Sequence, residues 1–104
     1  MMFGWTLIRI RGRSMAPVLP HGSYALFRAK RTVRTGDIVL ADHPVLGPIV
    51  KSVRRQTPAG YILEGRSPAS IGSAALGVIP RDGIIGVLVM AHTPPRRAPD
   101  RRTA

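Results

Sequence analysis

The apolar residues of this chain come in short runs, each cut off by glycine or proline, and no stretch sustains a 3.6-residue repeat. A helix needs that repeat to bury one face, whereas a strand needs only about four to eight residues between turn signals. A mostly β domain with few or no helices is therefore predicted. Strands are expected over residues 7–11, 24–28, 37–42, 48–53, 61–64 and 84–89. Between them, Pro20-His21-Gly22, Thr35-Gly36, His43-Pro44, Leu46-Gly47-Pro48, Pro58-Ala59-Gly60 and Asp82-Gly83 supply the fixed φ of proline or the positive φ of glycine that tight turns need.

With 104 residues the chain holds one small domain, and its 44% of hydrophobic residues are enough to build a core. The domain is predicted over residues 1–92, its last strand ending near Met90. Residues 93–104 carry three prolines and four arginines without an apolar anchor, so they are predicted to form a disordered basic tail. No cysteine is present, which excludes disulfides, iron–sulfur clusters and thiolate zinc sites. His21, His43 and His92 lack metal-ligand spacing and fall in turns or near the tail, so they are expected to be solvated loop residues, with no metal or cofactor bound.

No segment reaches the ~18 to 20 apolar residues that a bilayer crossing requires. The N-terminal run is broken by Arg9 and lacks the charged-then-apolar order of a secretory signal. The expectation is a soluble cytoplasmic protein without a transmembrane segment. Met2, Phe3, Trp5, Leu7 and Ile8 fit an edge strand packed on the core, and a membrane-surface contact is the competing reading of the same residues.

Sixteen Lys and Arg face five Asp and Glu, giving a formal charge of +11. Such a field attracts polyanions at long range. Only Lys30 and Lys51 are lysines, and the five aromatic residues are too dispersed to stack bases on one platform, so dedicated nucleic-acid binding is not favoured. A small basic nucleic-acid-binding β-domain is kept as an alternative.

The chemistry concentrates in two places. In Arg11-Gly12-Arg13-Ser14-Met15-Ala16-Pro17-Val18-Leu19 a serine follows a strand and enters a loop constrained by proline, which exposes its hydroxyl. Gly12 lets a substrate backbone approach, and the Ser14 amide is suited to stabilise an oxyanion formed by attack of its own Oγ. Met15 fits either a small specificity pocket or the core. Serine is a weak nucleophile at neutral pH and needs a base. Lys51 is the candidate: it sits alone in an otherwise apolar strand, where alternation groups it with Ile49 and Val53 on one face. Burial destabilises an ammonium relative to the neutral amine, and a neutral amine can take the serine proton. A solvated strand lysine is the competing reading.

These residues resemble the serine–lysine peptidases that include type I signal peptidases and the self-cleaving domains of LexA-type repressors. Gly12-x-Ser14-Met15-x-Pro17-x-Leu19 is similar to the nucleophile box of that superfamily. Gly36-Asp37-Ile38-Val39-Leu40 resembles its GDIV strand, and Val50-Lys51-Ser52-Val53 resembles the strand carrying the general base, 37 positions after Ser14. The segment from Glu64 to Ser73 stands where a GDN-type box is usual, and Ile84-Ile85-Gly86-Val87-Leu88 resembles the terminal strand. The resemblance covers about residues 8 to 90. It implies a small β-barrel-like catalytic domain with Ser14 as nucleophile and Lys51 as base. Gly12, Arg13 and Met15 would line the oxyanion and substrate-binding region, and either Ser70 or Ser73 would orient the lysine. Arg66 and Ser67 replace the usual Asp and Asn of the third box, and Ser23 replaces an Asp in the first GDxV strand.

Within the superfamily, signal peptidases carry N-terminal transmembrane helices, and LexA-type proteins carry an upstream DNA-binding domain with a cleavable linker. Only 13 residues precede Ser14 here. The chain is most similar to the maturation proteases of nickel-type superoxide dismutase, which implies a precursor protein as substrate, with an N-terminal extension removed. A noncatalytic peptide-binding relative is the alternative within the same fold.

Overall fold

The computed structural model describes residues 4–29, 32–66 and 76–95. Among these residues seven strands form one antiparallel sheet: β1 (Trp5–Arg9), β2 (Tyr24–Arg28), β3 (Ile38–His43), β4 (Gly47–Thr57), β5 (Gly60–Glu64), β6 (Val78–Ile79) and β7 (Ile84–His92), with a 3-10 turn at Arg81–Gly83. Their order across the sheet is β1-β2-β7-β3-β4-β5-β6. The mostly β architecture matches the expectation, and among the described residues β1 and β6 are the two edges of the sheet.

All six predicted strands are present; the one over residues 24–28 has the predicted ends, and the other five differ at one or both ends. The first begins and ends two residues earlier than expected. Ile10 leaves the ladder to enter the core, while its amide still donates to Ser23 O and its carbonyl accepts from Gly22 N. Strand β4 runs on to Thr57 through the exposed Arg54, Arg55 and Gln56, whose polar side chains hide a strand from any reading of apolar alternation. Strand β6 is an addition of two residues, held against Tyr61 and Ile62 of β5. The last strand continues past Met90 to His92, and the next residue, Thr93, shares a 3.0 Å hydroxyl hydrogen bond with the buried Ser23. Residues 96–104, the larger part of the predicted tail, lie outside the described residues.

The hairpin from β4 to β5 turns through Pro58 and Ala59, with the Thr57 hydroxyl bonded both to Ala59 N and to Gly60 O. Gly60 cannot be replaced there without a shift, since its φ is +145° and a Cβ would collide with the Ile79 carbonyl. Register shifts at Leu26/Phe27, Leu40/Ala41 and Val53/Arg55 are bulges that let the sheet coil.

Coiling gives the central strand β3 two buried faces. Val39 and Ala41 point into one apolar cluster with Val53, Leu63, Ile79 and Val87. Leu40 joins the other, with Ile10, Met15, Leu19, Ala25 and Phe27. The second cluster fixes the site, because it holds down the loop that follows β1.

Candidate active site

Two walls enclose a groove of about 470 Å³. One is made by residues 8–15, the end of β1 and the loop after it; the other by Leu46 and residues 48–51, the start of β4. Ser14 lies on the first wall and Lys51 on the second, so the coil brings together two residues 37 positions apart in the chain.

The loop bearing Ser14 is held at several points. Met15 is 1% exposed and packs in the second apolar cluster, as does Leu19, whose amide donates to Met15 O at 2.7 Å. The two readings of Met15 are thus compatible, since its side chain is a core anchor and the residue also borders the groove. The Ala16–Pro17 peptide is cis, and Ala16 N donates to Arg13 O at 3.1 Å to close the turn around Ser14. Gly12 has φ +82°, a conformation glycine adopts at no steric cost. Its amide donates to Nδ1 of His21 at 2.9 Å. The Ser14 carbonyl accepts from the Arg66 amide at 2.7 Å. Ser14 itself is partly exposed, and Arg13 is exposed on the rim.

Lys51 is held by the sheet. It lies opposite Val39 in the β3–β4 register, and it is 5% exposed. Ile49 and Val53, its neighbours on the same face by alternation, both pack in the first apolar cluster. The solvated-strand reading of Lys51 therefore does not hold. Desolvation by this burial pushes the Lys51 ammonium below the ordinary lysine range, favouring the neutral amine. Neighbouring Ser52 is also buried, donating to Glu64 O at 3.2 Å and accepting from Nε of Arg66 at 3.1 Å.

Ser70 and Ser73, the candidates for orienting the lysine, lie outside the described residues, as does Phe3. Among the described residues no group of three or more His, Asp or Glu is arranged to hold a metal ion, and no helix is long and apolar enough to cross a membrane.

Three contributions to the site were missed in the sequence. Leu46 and Pro48 form part of the groove wall, but their Leu-Gly-Pro context reads only as a turn. His43 is no solvated loop residue. It is 9% exposed; Nδ1 accepts from Val45 N at 3.1 Å and Leu46 N at 3.0 Å, and Nε2 donates to Leu76 O at 3.0 Å. An imidazole accepting twice at Nδ1 is the neutral Nε2–H tautomer, which holds the hairpin that forms the groove wall. His21 likewise has a defined partner in the Gly12 amide, though it is exposed. A histidine just before a Pro- or Gly-containing turn was the available signal, and it is too common a pattern to assign such a role.

No curated protein matches the chain. The model of the family described as Peptidase S24-like matches residues 4–71, which span the nucleophile loop, the groove and β4. A chain with a serine on a docked loop, a desolvated lysine on the facing strand and this match over more than half its length belongs to the Peptidase S24-like family.

Proposed function

We propose that this protein is a serine endopeptidase in which Ser14 is the nucleophile and Lys51 the general base. The observation that carries the proposal is that a partly exposed serine and a lysine desolvated by burial line one groove. A substrate segment lies extended along the groove and pairs through its backbone with β1, an edge strand among the described residues. Ser14 Oγ attacks the scissile carbonyl while Lys51 Nζ accepts its proton. The Ser14 amide stabilises the oxyanion. Lys51 then gives the proton to the leaving amine, and the C–N bond breaks to leave an acyl-enzyme on Ser14. Water, deprotonated by Lys51, releases the product and restores the serine.

The substrate we propose is a precursor protein that loses an N-terminal extension. Nickel-type superoxide dismutase precursor is the specific reading, supported by the likeness of the Gly12-Arg13-Ser14-Met15-Ala16-Pro17 box to its maturation proteases. The catalytic domain spans residues 1–92 in this proposal, and the reaction takes place in the cytoplasm. Arg11 and Arg13 on the groove give it a positive rim suited to acidic residues near the cleaved bond.

The test is incubation with a β-lactone acylating probe and mass-spectrometric location of the adduct in wild type, Ser14→Ala and Lys51→Ala. An adduct on Ser14 that disappears in both variants supports the dyad. A folded wild type that takes no adduct but retains precursor peptide would instead mark a noncatalytic peptide-binding relative.

A further inference from the structure

Arg66 stands where the resemblance leads one to expect an acidic residue, and its contacts give it a different task. Its backbone amide donates to the carbonyl of Ser14 at 2.7 Å. Its guanidinium bonds to β4 and to the turn before β3, with Nε 3.1 Å from Ser52 Oγ and Nη2 3.4 Å from Gly36 O. Both acceptors are themselves fixed to β4 beside Lys51. Ser52 is the next residue and is buried, and Gly36 N donates to Val53 O at 2.8 Å. The Ser52 hydroxyl accepts from Arg66 while donating its proton to Glu64 O at 3.2 Å.

We infer that Arg66 is a positioning residue that ties the Ser14 loop to the strand carrying Lys51, so that nucleophile and base share one rigid reference. The inference rests on the dyad reading for its consequence in catalysis, but the clamp is a property of the fold alone. A guanidinium suits this task because it is planar and directs several N–H groups along fixed directions, whereas a carboxylate could only accept and could not reach two acceptors. The backbone bond to Ser14 is made by residue 66 whatever its side chain. The side chain determines whether residue 66 is held still enough to keep that bond in register.

Two readouts test it on Arg66→Met, Ser52→Ala and the double variant. The first is hydrogen exchange of the residue-66 amide, which needs no activity. Its protection falls about tenfold or more in each single variant, and no further in the double variant, if the guanidinium–hydroxyl bond holds the clamp. Unchanged protection in both single variants overturns the inference. The second is the rate of Ser14 acylation by the β-lactone. Its maximal value falls about tenfold in Arg66→Met, the half-saturating probe concentration stays constant, and the midpoint of the pH profile does not move. A midpoint displaced towards the ordinary lysine range would mean that the variant had opened the groove to water, and would contradict a purely positional role. Arg66→Lys, which keeps a single donor nitrogen, recovers part of the rate. Wild type that shows the protected amide yet never acylates Ser14 would sink the dyad reading and leave the clamp standing.

Discussion

The two walls of the groove are built by opposite means. Lys51 sits within a long strand, opposite Val39, with buried residues after it, and its placement is a consequence of sheet register. Ser14 sits in a loop, and its placement depends on a few separate attachments: Met15 in the core, the Gly12 amide on His21, and its own carbonyl on residue 66. A register cannot drift by a fraction of a residue, whereas a loop can. The base is therefore set by the fold as a whole and tuned by burial. The nucleophile is set by a few individual contacts, some of them made by side chains that single substitutions can remove.

Substitution on each wall tests that contrast. The largest effect belongs to Lys51→Met, which keeps the apolar stem and removes the amine. Ser14 acylation should fall by at least about 10³-fold. Stability should behave in the reverse direction. Burial depresses the Lys51 pKa, so the folded state disfavours the ammonium. That penalty is fully present below the folded pKa and is relieved as pH rises from it towards the ordinary lysine value. Denaturant unfolding should therefore show wild type gaining stability over that alkaline window while Lys51→Met stays flat, with the variant at least as stable as wild type at neutral pH. A variant less stable at neutral pH would mean that the amine contributes more to packing or bonding than its desolvation removes.

On the loop side the effects are smaller and fall on activity first. Gly12→Ala places a Cβ in open space but forces alanine to φ +82°, so its cost is conformational, about 1 kcal/mol of stability. The acylation rate should fall about tenfold as the loop relaxes, with the Lys51 pH midpoint unmoved. Equal losses in a thermal melt and in the rate at low temperature would remove the distinction between the two walls. Arg13→Ala should be the mildest. The residue is exposed on the rim, so stability should change by no more than about 0.5 kcal/mol. KM for an acidic peptide should rise several-fold and lose part of its salt dependence, while a neutral peptide should be cleaved as before.

Much of the sheet was legible in the sequence, since short apolar runs bounded by glycine and proline have few other ways to fold. Its polar extension past Val53 was not, because Arg54, Arg55 and Gln56 face solvent and leave no apolar alternation. The two-residue β6 is too short to carry a pattern at all. At the site, Ser14 and Lys51 stood out as a serine in a Pro-bounded loop and a lone lysine in an apolar strand. Their meeting across the groove depends on the bulges and coil of the sheet, which no local spacing encodes. His43 and Arg66 were hidden for a related reason. His43 bonds only to backbone groups, and Arg66 bonds to one as well as to the Ser52 hydroxyl; Leu76 O lies 33 residues from His43 and Gly36 O 30 from Arg66, and a backbone carbonyl has no signature in the sequence.

Whether a neutral Lys51 activates Ser14 is decided by the pH dependence of Ser14 acylation. The rate should climb with pH below the ordinary lysine range, following a single ionisation that vanishes in Lys51→Ala. A rate that is flat from about pH 6 to about pH 9, or the same rise in Lys51→Ala, would contradict it.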